Sequence, residues 1–201
     1  TPVQVGGSTV DMKLIKLLED PGINPITLNE STSDDISVSG TLIGWGVGRD
    51  PNVADSGTGP TNIWQWGSTA TLAKRWGTNT IIGSALVGYS TGSYTALQTR
   101  LDRNAGSNEA GLALHDSGSG IFIEDGTGWK LAGLTTAVGS QIQNASTFSG
   151  SGDANYFVRI ASYAAQIDAA IPNPASYSGW KTDHSLYNAN ADDDADPDGD
   201  G

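Results

Sequence analysis

A serine hydroxyl becomes a useful nucleophile only where the backbone presents it and a neighbouring base takes its proton. One stretch meets the first requirement: His115-Asp116-Ser117-Gly118-Ser119-Gly120, followed at once by the apolar Ile121-Phe122-Ile123. An acid before the serine and a glycine after it suit a tight turn. In such a turn adjacent backbone N–H groups can converge on a developing oxyanion. Asp-Ser-Gly also decorates many ordinary turns, and the tripeptide alone does not choose between the two readings. Bases are few, because the only histidines are His115 and His184. There is no cysteine, which excludes thiol catalysis, disulfides and zinc–thiolate sites. A second spacing points to a cation. Asp194, Asp196, Asp198 and Gly199 repeat positions one, three, five and six of an EF-hand-like calcium loop. The ligand at position twelve would fall past Gly201. An acidic tail and the opening of a calcium-binding repeat therefore both fit, and this stretch by itself is expected to bind calcium weakly or not at all.

The elements that must position Ser117 read as strands. Val10 to Leu17 alternates, with Val10, Met12 and Leu14 on one face and Asp11, Lys13, Ile15 and Leu17 on the other. Asn24-Pro25-Ile26-Thr27-Leu28 reads as an extended connection, and residues 30–37 as a polar loop. Val38 to Val47 gives the next strand, with glycines that suit a bulge or a corner. Residues 49–60 form a surface loop. From Thr61 to Ile171 there is no proline, as expected of interior strands that need their N–H groups. In that stretch Ile63-Trp64-Gln65-Trp66 sets two tryptophans on one face, for which packing is favoured over a ligand platform. Residues 99–110 read as a polar loop leading to the serine turn, 126–128 as a hairpin turn, and 141–153 as a long Ser/Gly loop. The strand Tyr156–Ile160 runs into a helical pattern that Pro172-Asn173-Pro174 stops.

Composition agrees with an all-β chain rich in turns: 27 glycines and only 16% charged residues in 201. Net charge is −12, and six of the 22 acids lie within residues 192–200, leaving 16 acids against 10 bases elsewhere. That balance argues against nucleic acid and anionic membrane surfaces as partners. No apolar run is long enough for a transmembrane helix.

Several landmarks resemble the chymotrypsin-like (trypsin-fold) serine peptidases, in that family's order. Val10-Asp11-Met12-Lys13-Leu14-Ile15-Lys16-Leu17 resembles the strand carrying the triad aspartate, and Gly44-Trp45-Gly46 the start of the second barrel. Asp116-Ser117-Gly118-Ser119 resembles the nucleophile motif, and Trp129 to Leu134 the strand after it. Tyr156 to Ile160, with Ala161-Ser162-Tyr163 and Gln166-Ile167, is similar to the closing strand and C-terminal helix. The resemblance implies a double β-barrel fold. Residues 1–37 would be the end of a first barrel and the crossover, 38–171 the second six-stranded antiparallel barrel with a C-terminal helix, and 172–201 a linker and acidic tail.

It also implies a secreted or cell-surface bacterial endopeptidase that cleaves protein or peptide substrates through an acyl-enzyme, with no cofactor needed for catalysis. Ser117 would be the nucleophile and Asp11 the acid that orients a histidine. The N–H groups of His115 and Ser117 would form the oxyanion hole, with Asp116 supporting the turn through a buried ion pair. Gly111, Thr136, Ala137 and Val138 would line the substrate cleft. Because Gly111 stands where trypsin-like members have an acid, a Lys/Arg preference is not supported, and a small or apolar side chain is expected.

The sequence departs from the family in two ways. His115 replaces a glycine, at a position that often demands a backbone conformation glycine takes freely. The base should be a histidine ahead of Asp11, and none is present; His184 lies in the linker, and the His115 side chain is expected to point away from Ser117. Either a first barrel carrying that histidine lies outside this sequence, or the chain is a non-catalytic binding or surface module on the same fold. On both readings these 201 residues alone are expected to hydrolyse nothing.

Overall fold

The computed structural model describes residues 2–5, 8–15, 17, 21–52, 63–89, 92–102, 106–139, 145–147 and 153–170. Strands dominate them. In chain order they are β1 (Pro2–Val5), β2 (Ser8–Lys13), β3 (Thr27–Leu28), β4 (Ser39–Gly44), β5 (Ile63–Gln65) and β6 (Arg75–Thr80). There follow β7 (Gly83–Tyr89), β8 (Gly92–Arg100), β9 (Gly120–Glu124), β10 (Trp129–Val138), β11 (Ala145–Thr147) and β12 (Ala154–Arg159). A 3-10 turn, Ile160–Tyr163, leads into the short helix α1 (Ala164–Ala170). The chain divides into two compact units, 1–164 and 165–201; in the second, the described residues are 165–170, all within α1.

The large sheet runs β6-β4-β9-β10-β12-β8-β7 with antiparallel neighbours throughout, and β3 adds to β10 in parallel. Its two ends, β6 and β7, are consecutive in the chain, with only Ile81 and Ile82 between them. Ile81 still exchanges backbone bonds on the β4 side, donating to Val38 and accepting from Ser37, whereas Ile82 donates to Gln98 on β8. One long segment therefore changes partner at its middle, from β4 to β8. β10 is the hub: β9 pairs along one edge, while the other edge takes β3 first and β12 after it.

Alternation explains which residues these strands bury. Val10 and Met12 on β2 are buried while Asp11 and Lys13 are exposed. The core joins Leu42, Ile81, Leu97, Leu112, Ile121, Ile123, Ala132 and Phe157, drawn from five strands, the link between β6 and β7 and the segment before Ser117. Complete burial of a side chain of the Leu, Ile or Phe size contributes about 2 kcal/mol, so this cluster is the main reason the strands hold together. One boundary differs from the sequence reading. Thr99 and Arg100 belong to β8 rather than to a loop, because their backbones pair with Asn155 and Ala154 of β12. A second difference is that 145–147, expected in a loop, pairs with β5. The tail with Asp194, Asp196 and Asp198, together with His184, lies outside the described residues.

Candidate functional site

Ser117 occupies a tight turn between the core residue Leu112 and β9. The turn is closed by Asp116 donating to the Ala113 carbonyl (3.3 Å) and Ser119 donating to the Asp116 carbonyl (3.0 Å). β10 holds it from the side. Gly118 donates to the Thr135 carbonyl at 2.9 Å, and Thr135 donates back to Ser119 at 2.8 Å. Within this alternation the N–H groups of residues 116, 118 and 119 are engaged. Among the described residues none accepts a hydrogen bond from the N–H of His115 or Ser117. His115 has φ 74°, in the left-handed region where glycine is at ease and histidine is strained. Both His115 and Ser117 are exposed.

Asp116 anchors the turn from below. It is 8% exposed, and Oδ2 accepts from the Ala113 N–H at 3.0 Å. Burial pushes its carboxyl above the ordinary aspartate value; the N–H groups of Ala113, Gly46 and Trp45 and the charge of Arg75 act against that rise. The contact with Gly44-Trp45-Gly46 is close. A Cβ on Gly46 would lie 2.6 Å from Asp116 Cγ and both carboxylate oxygens, and one on Gly44 would meet Oδ1 closer still. The two glycines leave the space that the carboxylate fills. Arg75 braces the same strand end, donating from Nη1 to the Gly46 and Ala73 carbonyls and from Nη2 to the Thr71 carbonyl. Arg75 thus ties β6 to the end of β4.

A cavity of about 380 Å³ opens beneath the turn, between Gly44–Arg49, Trp76 and residues 109–113. Gly111, Asp116, Ser119 and Thr135 share its lining with Trp64 and Trp66. Thr136, Ala137, Val138 and Ser117 do not line it. The expected cleft residues are therefore divided, Gly111 facing this cavity and the other three lying along β10 beyond it. Trp64 stacks under Arg49, whose guanidinium carbon sits 4.6 Å from the ring centre. Thr135 Oγ1 is buried without a hydrogen-bond partner, and Glu109, at another wall, is pushed up by burial against the bond it accepts from the Asp102 N–H. An apolar group with one polar end suits such a lining.

Asp11 is exposed on β2, and β2 lies against β8. Its charge reaches Tyr94 of β8. Burial raises that phenol above its usual value, the bond to Thr136 opposes the rise, and Asp11 adds to it. The Tyr94 hydroxyl donates to Thr136 Oγ1 at 2.6 Å, which links Tyr94 to β10. Among the described residues no cluster of three His, Cys, Asp or Glu side chains could hold a metal ion, and no helix is long and apolar enough to cross a membrane.

Sequence reading missed Asn155. It is 1% exposed and accepts from the Leu112 N–H at 2.8 Å, next to Gly111 of the cavity wall. The available signal was a polar residue at a core-facing position beside Phe157 in a strand, which marks a side chain that bonds inside the fold. Asn79 does the same from β6, bonding the Arg100 and Ala110 carbonyls.

No family model matches the chain, and no curated protein matches it.

Proposed function

We propose that the protein is a serine endopeptidase of the chymotrypsin-like group, with the sheet of β4, β6–β7, β8, β9, β10 and β12 as the second of two barrels. The observation that carries this reading is the meeting of two motifs far apart in the chain. The Asp116 carboxylate of the serine turn occupies the space left by Gly44 and Gly46, which leaves Ser117 and two unengaged N–H groups facing outward. Ser117 Oγ attacks the scissile carbonyl carbon, and the charge that develops on the carbonyl oxygen is met by the N–H groups of His115 and Ser117. The base takes the Ser117 proton and returns it to the leaving nitrogen as the C–N bond breaks, which leaves the acyl-enzyme; water, deprotonated by the same base, then hydrolyses it and frees Ser117. In this reading the base is a histidine ahead of Asp11, on a first barrel outside this sequence, and Asp11 orients it. The product is secreted or surface-bound, and calcium at Asp194, Asp196 and Asp198 would be structural.

The test uses the protein expressed from its own gene with whatever residues precede Thr1. A fluorophosphonate probe is expected to label Ser117, as located by mass spectrometry, and Ser117→Ala is expected to abolish both label and casein hydrolysis. Absence of any Ser117 adduct overturns the reading. That result would favour a non-catalytic trypsin-fold binding or surface module, for which the tryptophan-lined cavity is the specific support.

A further inference from the structure

Thr135 on β10 has both main-chain polar groups engaged by the serine turn, its N–H with the Ser119 carbonyl and its carbonyl with the Gly118 N–H. The side chain is what it has left to offer the cavity that it lines. The residue is 6% exposed, and among the described residues none bonds its buried Oγ1. A hydroxyl held away from water without a partner is costly, and a ligand that supplies the bond regains that cost.

The walls around it are aromatic. Trp64 and Trp66 stand on the side of Arg49, whose guanidinium covers one face of Trp64. Ile43 and Trp76, cross-strand partners on β4 and β6, also line the cavity while staying 39% and 64% exposed, which marks its open side. Its 380 Å³ is about two and a half times the ~150 Å³ that holds benzene, room for two fused rings. Charge narrows the choice further. Asp116 and Glu109 bring carboxyl groups to two walls, which disfavours an anion. Arg75, already donating to the carbonyls of Gly46, Ala73 and Thr71, joins Arg49 in disfavouring a cation.

We infer that this cavity binds a neutral two-ring aromatic molecule of the phenol or indole class, whose single O–H or N–H donates to Thr135 Oγ1 while the rings lie among Trp64, Trp66 and Trp76. Ser117 and Thr136–Val138 do not line the cavity, so this site is separate from the expected peptide cleft and does not rest on the peptidase reading.

The full chain, ¹⁵N-labelled, is titrated at neutral pH with 2-naphthol, naphthalene and naphthalene-2-carboxylate. The signals followed are the amides of Gly111 and Thr135 and the indole N–H groups of Trp64, Trp66 and Trp76. 2-Naphthol is expected to shift them and to bind at least about 5-fold more tightly than naphthalene, the scale of one neutral hydrogen bond. Against the carboxylate the expected margin is at least about 10-fold, because a buried anion there lacks a dedicated partner. Thr135→Val keeps the shape of the wall and removes the hydroxyl. It is expected to bring 2-naphthol down to the affinity of naphthalene and to leave naphthalene unchanged. If this variant does not fold, the wild-type order of the three probes decides. The absence of shifts with 2-naphthol overturns the inference. Naphthalene binding as tightly as 2-naphthol does so too, since the hydroxyl would then meet only water. Tighter binding of the carboxylate also overturns it and assigns the cavity to an anion held by Arg49. An unreactive Ser117 in the fluorophosphonate experiment fails the peptidase reading alone.

Discussion

At the scale of single residues, the serine turn depends on atoms that are absent. Gly44 and Gly46 flank an exposed tryptophan, Trp45, and neither has a positive φ that would demand glycine. What they supply is room for the Asp116 carboxylate. Gly46→Ala is therefore expected to cost about 2 kcal/mol, the usual cost of forcing an extra methyl into a filled site. In an Asp116→Ala background the same substitution is expected to cost under about 1 kcal/mol, which gives a coupling above about 1 kcal/mol in a double-mutant cycle. Urea unfolding of the four proteins measures it, and equal costs in both backgrounds would show that something other than the carboxylate excludes the methyl. Both motifs are visible in the sequence as separate strings. Their contact is not, because nothing in the local pattern states that a carboxylate and two missing side chains share one volume. His115 is the reverse case. The motif places it at a position suited to glycine, and its φ of 74° is the strain that this placement implies.

At the scale of elements, β10 and β12 are fixed by polar contacts as much as by apolar ones. β12 ends at Arg159, whose Nε and Nη2 bond both carboxylate oxygens of Asp35 at 2.8 and 2.5 Å, with Nη2 also donating to the Thr32 carbonyl. The Asp35 side chain is fully buried and that of Arg159 only 11% exposed, so the pair clamps the loop before β4 to the end of β12. Removing one partner strands a buried charge, so Asp35→Ala is expected to lower stability by about 3 kcal/mol. Replacing both, Asp35→Leu with Arg159→Met, is expected to cost clearly less than either single change, because no charge is left unpaired. Chemical denaturation of the three variants tests this, and a double variant weaker than the singles would contradict it. The pair Asp125–Lys130, at the β9–β10 hairpin, has both side chains partly exposed, is screened by solvent and carries no comparable expectation. Strand alternation made β2, β4 and β12 legible from sequence. The Asp35–Arg159 clamp and the parallel pairing of β3 with β10 were not, since both join segments that only the finished topology brings together. Thr99 shows the same limit. Its polar surroundings read as loop, yet pairing with Asn155 makes it strand and buries it completely.

At the scale of the whole chain, local patterns set the class and long-range pairing sets the arrangement. The all-β character follows from alternation and turn residues, whereas the order β6-β4-β9-β10-β12-β8-β7 follows from which distant edges find each other. Thr41 pairs with Phe122, Thr27 with Lys130 and Ala96 with Val158, so most of the sheet cannot form until remote parts of the chain have met. Each such meeting carries a loop-closure cost before any burial offsets it. The core shares this dependence, since Ile121 on β9 packs with Leu42 on β4, Leu97 on β8 and Phe157 on β12. Refolding from urea is therefore expected in the millisecond-to-second range typical of sheets dominated by non-local contacts. Trp64 and Trp66, half-buried around the cavity, are the natural fluorescence probes in stopped-flow mixing. Their signal is expected to recover together with the far-ultraviolet strand signal, because β5 pairs with the distant β11 and the cavity wall is completed only by β4, β6 and the segment before Ser117. Complete recovery of the tryptophan signal in microseconds, ahead of the strand signal, would mean that the cavity wall is built locally and that the long-range order of strands does not control when the candidate site forms.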